Sequence, residues 1–252
     1  MDCVARSDPL SVMDIYRSWP SVVSPDVAVD LTTEVRWFFD NRLESEVWSW
    51  FTRDGAGLEE KRSDTYRFDG RDDMGVKWRF GTTLELKLRM RPPEPFVSGR
   101  SLDGFLEIWQ RWSPAGDRVH LSENTRWIEV DKIVVKRRFD PDGQELPLSD
   151  ETRVMEGLGC DCEVAAVSIA GHTTWTFSFA AFGPLDRHRD AISAAWGRLQ
   201  GSAPLALQLT RAASRGYPEW LAKNGADSTL DQEAPAHSQV WVPIDPPGTV
   251  HS

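Results

Sequence analysis

The sequence predicts a mainly β protein of the α+β class, and three observations support this prediction. About eight segments alternate apolar and polar residues, which is the pattern of a strand with one buried face. Two segments of the central region, 43–51 and 184–200, show instead the spacing of an amphipathic helix. The 252 residues are 40% hydrophobic, which provides a sizeable core and excludes wholesale disorder.

The clearest predicted strand runs from Thr83 to Met90. Its leucines alternate with Glu85, Lys87 and Arg89, so that apolar and charged side chains face opposite sides. The other predicted strands span residues 33–39, 64–69, 74–80, 106–112, 126–139, 162–169 and 174–182. The last two are separated by Ala-Gly-His-Thr, which is typical of a hairpin turn.

The alternating segments and both helices fall within residues 32–221, where no linker interrupts them, so we expect one domain there. Residues 1–31 contain a short helical pattern broken by prolines and are interpreted as an N-terminal appendage. Residues 222–252 are rich in Pro, Ser, Asp and Gln, and we expect a mobile tail.

Composition excludes several classes of function. A formal net charge of −10 disfavours non-specific binding to nucleic acid or anionic lipid. The sequence has no run of about 18 apolar residues, so we expect no membrane span. Three cysteines are too few for a disulfide scaffold, so a cytoplasmic protein is predicted. The oligomeric state is left open.

The polar faces of the predicted strands carry an excess of positive charge. Three carboxylates, Glu34, Glu85 and Glu107, share these faces with nine cations. The cations are Arg36, Lys77, Arg79, Lys87, Arg89, Arg111, Lys132, Lys136 and Arg138. Lys-x-Arg spacing places two cations about 7 Å apart on one strand, where they repel each other unless an anion lies between them. A closed barrel with these side chains inside would attract polyphosphate groups. A solvated sheet face is the simpler alternative for any single strand.

The order of these segments resembles the CYTH-like, triphosphate tunnel metalloenzyme superfamily over residues 32–200. The resemblance rests on Glu34-Val-Arg36, Lys77-Trp-Arg79 and Leu84-Glu85-Leu-Lys87-Leu-Arg89, followed by Glu107-Ile-Trp109 and the strand from Lys132 to Arg138. It implies an eight-stranded antiparallel tunnel barrel with flanking helices. It also implies hydrolysis of a phosphoanhydride in a phosphate-bearing small molecule, with Mg²⁺ or Mn²⁺ as cofactor.

The resemblance also implies roles for individual residues. Glu34, Glu85 and Lys87 would be catalytic, and Glu34, Glu85, Glu107 and Glu163 would hold the metal. Trp109 would stack on an organic part of the substrate. The phosphates would be bound by Arg36, Lys77, Arg79, Arg89, Arg111, Lys132, Lys136 and Arg138.

Two alternatives stay open at this point. The first strand of the family usually reads Glu-x-Glu-x-Lys, whereas this chain has Glu34, Arg36 and Phe38 at those places. A polyphosphate-binding protein without turnover is therefore one alternative. Conversion of a prenyl diphosphate is the other, because Phe38 and Trp109 on the inward face could stabilise a carbocation.

Overall fold

The computed structural model describes residues 27–40, 43–53, 57–68, 70–79, 83–99, 101–114, 126–148, 157–205 and 207–225. Most of the predicted N-terminal appendage and all but four residues of the predicted tail lie outside this part of the chain. Within it, no helix is long and apolar enough to cross a membrane.

Ten strands and three α-helices make up the described structure. The strands are β1 (Val27–Phe39), β2 (Leu58–Phe68), β3 (Met74–Arg79), β4 (Thr83–Arg89), β5 (Glu94–Ser98), β6 (Leu102–Pro114), β7 (Arg126–Phe139), β8 (Glu145–Leu146), β9 (Gly159–Ile169) and β10 (His172–Phe182). The helices are α1 (Ser45–Phe51), α2 (His188–Gln200) and α3 (Tyr217–Asn224). Short 3₁₀ turns precede α2 and α3.

Eight of these strands form a closed antiparallel barrel, which confirms the predicted fold class. The order around it is β1-β10-β9-β7-β2-β3-β4-β6, and β6 pairs with β1 to close the ring. The two partners of β1 are staggered, because β6 pairs with its first half and β10 with its second half. Such a stagger accompanies the strand tilt that a closed barrel requires.

The hairpin between β9 and β10 was also predicted from the sequence. Ala170 and Gly171 both have positive φ, 48° and 83°, at the tip of the loop. Two consecutive residues of this kind fit the tight turn that matches the twist of antiparallel strands.

The main hydrophobic core lies outside the barrel, between its wall and helices α1 and α2. Outward side chains such as Trp37, Phe177 and Phe179 pack there against Phe51 and Trp196. Both helices occur where the sequence predicts them. They cover the outer surface of β1, β9 and β10, so the more polar faces of these strands point inward, away from this core.

Helix α3 covers the end of the barrel at which β1 and β2 finish. Trp220 stacks on Phe38 with ring centroids 4.9 Å apart, and Tyr217 stacks on Tyr66 at 5.0 Å. The chain enters the helix through Gly216, where any side chain would clash with the carboxylate of Glu107. The barrel is therefore a tunnel with one covered end.

The predicted boundaries differ from those observed by a few residues. Strand β1 begins at Val27, inside the predicted appendage, and α3 ends at Asn224, inside the predicted tail. The starts of β1 and β2 differ most, because β1 begins six residues before residue 33 and β2 begins at Leu58, six residues before residue 64. The acidic residues 59 and 60 belong to this first half of β2, ahead of the predicted strand.

Candidate functional site

The inside of the barrel is a charged cavity of about 150 Å³. Its wall carries eight basic side chains and four carboxylates. The basic ones are Arg36, Arg62, Lys77, Arg79, Lys87, Arg111, Lys132 and Lys136, and the acidic ones are Glu34, Glu85, Asp161 and Glu163. The predicted inward orientation of Lys77, Arg79 and Lys87 is thus what the structure shows.

The basic side chains differ in exposure along the cavity. At the floor, next to α3, the side chains of Arg62, Lys77 and Lys132 are 5–11% exposed. Four other cations of the wall, whose surroundings we call the mouth, have side chains that are 23–38% exposed: Arg79, Lys87, Arg111 and Lys136. Arg36 is intermediate. Solvent and solutes therefore reach the cavity from the mouth.

The floor is organised around Asp64, whose side chain is completely buried. Lys132, Arg62 and Lys77 approach its Oδ2 at 3.0, 3.3 and 3.4 Å. Burial alone would raise the pKa of Asp64, but the charges of Lys77, Lys132 and Arg62 lower it below its ordinary value. The carboxylate is consequently ionised at neutral pH and holds three cations together.

Two tyrosines, Tyr66 and Tyr217, pack against Lys132 at the floor of the cavity. The ammonium of Lys132 lies 4.7 Å from the ring centre of Tyr66 and 4.3 Å from that of Tyr217, and it donates a hydrogen bond of 2.6 Å to the Tyr66 hydroxyl. Burial lowers the pKa of Lys132 well below its usual value, and it lowers that of Lys77 to about 8. The floor thus concentrates cations in a poorly hydrated place.

Elsewhere on the cavity wall, ion pairs connect different strands of the barrel. Glu34 accepts a hydrogen bond from Lys87, and Glu163 accepts one of 3.1 Å from Arg36. Both oxygens of Glu85 are used, by Arg79 at 3.0 Å and by Lys77 at 3.1 Å. Burial opposes ionisation of Glu85, but these cations outweigh it and lower its pKa to about 2.

Three buried polar atoms in and beneath the cavity wall have no hydrogen-bond partner among the described residues. They are Nε of Arg111, the hydroxyl of Tyr217 and Oδ1 of Asp64. Buried polar groups are nearly always hydrogen-bonded, so unpaired donors facing a cavity are typical of a site that binds a ligand or water. Two of the three are donors, which suits an anion.

The predicted metal ligands do not form a metal site. Among the described residues, no three His, Cys, Asp or Glu side chains come together in a group that could hold a metal ion. Each of Glu34, Glu85, Glu107 and Glu163 instead has a cation as its partner, and for Glu107 this is Arg89 at 2.9 Å. Mg²⁺ prefers several oxygen ligands in octahedral geometry, and this donor set does not fit that requirement.

Four of the sequence-predicted site residues, Arg89, Glu107, Trp109 and Arg138, are not among the residues that line the cavity, and neither is Phe38. Arg138 is buried in a two-point ion pair with Asp161. Trp109 is 2% exposed and lies beneath the guanidinium of Arg89, which binds Glu107. Phe38 is buried against Trp220. The two aromatic rings that suggested a prenyl substrate therefore do not face the cavity.

Sequence reasoning missed Arg62, Asp64, Asp161, Tyr66 and Tyr217. Asp161 stands between Cys160 and Cys162, which are free and fully buried in the main hydrophobic core. The alternation of Asp161 and Glu163 with these cysteines was a usable signal for two inward carboxylates. Tyr217 reaches the cavity only because α3 covers the end of the barrel, so no local pattern could have identified it.

Comparison with known proteins identifies no family for the chain. Neither a family model nor a curated protein matches it. Among solved structures, it is similar to the S. pombe Pct1 RNA triphosphatase in complex with the Spt5 CTD. That match has a TM-score of 0.31 and 11% sequence identity, and it covers 69% of this chain and 81% of the other. Likeness of this degree does not determine an activity.

Proposed function

We propose that the barrel binds a phosphate-bearing small molecule, with its di- or triphosphate group inside the cavity. The observation that carries this proposal is the cavity wall, where eight cations face four carboxylates in a protein of net charge −10. An acidic protein that collects cations inside a closed barrel creates a local field that attracts anions. Arginine and lysine are also the side chains best suited to phosphate oxygens.

Because one end of the barrel is covered, the ligand would enter from the mouth and in one orientation. Tyr217 and Pro218 close the floor, whereas the mouth cations are in contact with solvent. A terminal phosphate would enter first, and an organic group attached to the other end would stay at the mouth. The cavity wall adds only a few small apolar residues, among them Ala165, Val167 and Ala180, so it offers little room for a long hydrocarbon chain.

The arrangement supports binding more directly than turnover. A general base needs a pKa near the working pH, yet Glu34 and Glu163 have lowered pKa values and that of Glu85 is about 2. The cations that surround them outweigh the effect of burial in each case. The metal-assisted hydrolysis implied by the family resemblance is therefore the second candidate, and it stays a prediction.

The test is a binding panel measured by calorimetry, with pyrophosphate, tripolyphosphate, ATP and thiamine triphosphate. We expect one site per chain and at least about tenfold weaker binding in the double variant Arg79→Ala, Lys87→Ala, because two mouth cations are lost. Lys61→Ala is the matched control, since Lys61 is an exposed cation on β2 that lies outside the cavity. Absence of binding to every compound would reject the proposal.

The same panel tests the second candidate. Phosphate release is measured with and without Mg²⁺ or Mn²⁺ for wild type and the double variant. Release that depends on Arg79 and Lys87 would establish an enzyme. A rate that is equal in both proteins would identify a contaminating phosphatase instead.

A further inference from the structure

We infer that the cavity binds its phosphate ligand without a divalent metal ion, and that its carboxylates are internal competitors of the ligand. This inference rests on the proposed phosphate binding and adds how the site works. It concerns Glu34 and Glu163, the two wall carboxylates whose cation partners are Lys87 and Arg36.

The first argument is the charge of the site. A divalent cation would enter a wall on which cations outnumber carboxylates by eight to four, and Asp30, Glu60 and Asp64 already pair with Arg111, Arg62 and Lys77. To bind Glu34 or Glu163, the metal must displace an ammonium or guanidinium group that stays a few ångströms away. Like charges at that distance repel strongly where water is scarce.

The second argument is the use of the carboxylate oxygens. Glu34 accepts from both Lys87 and Thr32, the latter at 3.0 Å, and Arg36 donates to Glu163 at 3.1 Å and to Thr176 at 3.0 Å. A carboxylate and a phosphate offer the same kind of acceptor to these donors. A phosphate that arrives at the site therefore takes over donors that the carboxylates now use.

The third argument is that unsatisfied groups at the wall are donors. Nε of Arg111 and the Tyr217 hydroxyl are buried and have no acceptor among the described residues, and both belong to side chains that line the cavity. A metal ion cannot satisfy a donor, whereas a phosphate oxygen can. The same wall therefore disfavours a cation and favours an anion.

The experiment is a calorimetric titration with tripolyphosphate, in EDTA and in excess Mg²⁺, of wild type, Glu34→Gln and Glu163→Gln. We expect binding in EDTA, weaker apparent binding in Mg²⁺ because the metal complexes the free ligand, and about three- to tenfold tighter binding in each variant. Titration with Mg²⁺ or Mn²⁺ alone should give no binding heat. A metal site predicts the opposite sign, because each substitution would then remove a ligand and weaken Mg²⁺-dependent binding.

Controls keep the outcomes distinct. Glu59→Gln removes an exposed carboxylate from the outer face of β2 and should leave the affinity unchanged. Thermal unfolding identifies a variant that fails to fold, and two substitutions are used because the side chains of Glu34 and Glu163 are similarly buried. Binding that requires Mg²⁺ and is lost in Glu34→Gln overturns this inference alone. No binding under either condition overturns the proposed function as well.

Discussion

At the floor of the cavity, one completely buried carboxylate, Asp64, has three cations within 3.4 Å. At the mouth, each cation has a different carboxylate neighbour and a partly exposed side chain. Removal of a charge from a buried network leaves its partners uncompensated, whereas removal of a charge near solvent is screened. We therefore expect the same residue types to serve mainly stability at the floor and, under the proposed function, mainly binding at the mouth.

The largest effect expected from this comparison follows from Asp64→Asn. The substitution keeps the shape but leaves Arg62, Lys77 and Lys132 without their shared anion, so it should lower the free energy of unfolding by about 3–5 kcal/mol. Denaturant unfolding of the variant measures this. Asp131→Asn, at an exposed position of β7, is the control, and its effect should stay within about 0.5 kcal/mol. Equal effects of the two substitutions would refute a structural role for the floor.

A pH effect of intermediate size is expected at Glu107, near the covered end. Burial raises the pKa of Glu107 to about 7, since it outweighs the attraction of Arg89. In the folded protein Glu107 keeps its proton up to about pH 7, whereas in the unfolded chain it loses the proton near pH 4.5. The stabilisation contributed by protonated Glu107 is therefore complete below about pH 4.5. It is lost as the pH rises through 7.

Glu107→Gln removes this contribution and tests its sign. Relative to wild type, the variant should gain on the order of 2 kcal/mol of unfolding free energy between pH 5 and pH 8. Urea unfolding of both proteins at the two pH values measures how the difference in unfolding free energy between variant and wild type changes with pH. A stability gap that is identical at pH 5 and pH 8 would contradict the raised pKa.

At the mouth, Arg111→Met should separate binding from stability. Arg111 pairs with Asp30 where both side chains are partly exposed, so its loss should cost less than about 1 kcal/mol of unfolding free energy. The affinity for tripolyphosphate should nevertheless fall about tenfold, because a bidentate donor is lost. Arg91→Met, at an exposed cation between β4 and β5, serves as control for calorimetry. If Arg111→Met lowered the free energy of unfolding as much as Asp64→Asn, the proposed difference between floor and mouth would be wrong.

The smallest effect is expected for Tyr217→Phe. The tyrosine hydroxyl is buried without a partner among the described residues, while its ring stacks on Tyr66. Loss of the hydroxyl should therefore change the free energy of unfolding by less than about 0.5 kcal/mol, as measured by denaturant titration. A loss above about 1 kcal/mol would show that the hydroxyl has a stabilising partner.

The comparison also explains what the sequence could predict. The cations of β3 and β4 were recognised because Lys77, Arg79 and Lys87 alternate with apolar residues, several of which pack in a small hydrophobic cluster of their own. The first half of β2 carries Glu59, Glu60, Lys61 and Arg62 in a row, since one side faces the charged cavity and the other faces solvent. Alternation of hydrophobicity vanishes in such a strand, so Arg62 and Asp64 were missed.

The sequence also did not show which charged side chains form ion pairs with each other. The pattern shows which side chains point inward, but not that Glu163 comes within 3.1 Å of Arg36 from another strand, 127 positions away. The closure of the barrel determines these pairs, and with them the difference between a metal site and a set of internal counter-ions.

The most direct test of the account is a crystal structure of the protein grown with tripolyphosphate in EDTA. The account predicts the ligand inside the barrel, with a terminal phosphate nearest the floor, oxygens within hydrogen-bond distance of Arg36 and Arg111, and Lys87 turned from Glu34 towards the phosphate. A barrel that keeps every internal ion pair, with tripolyphosphate bound only on its outer surface, would contradict it.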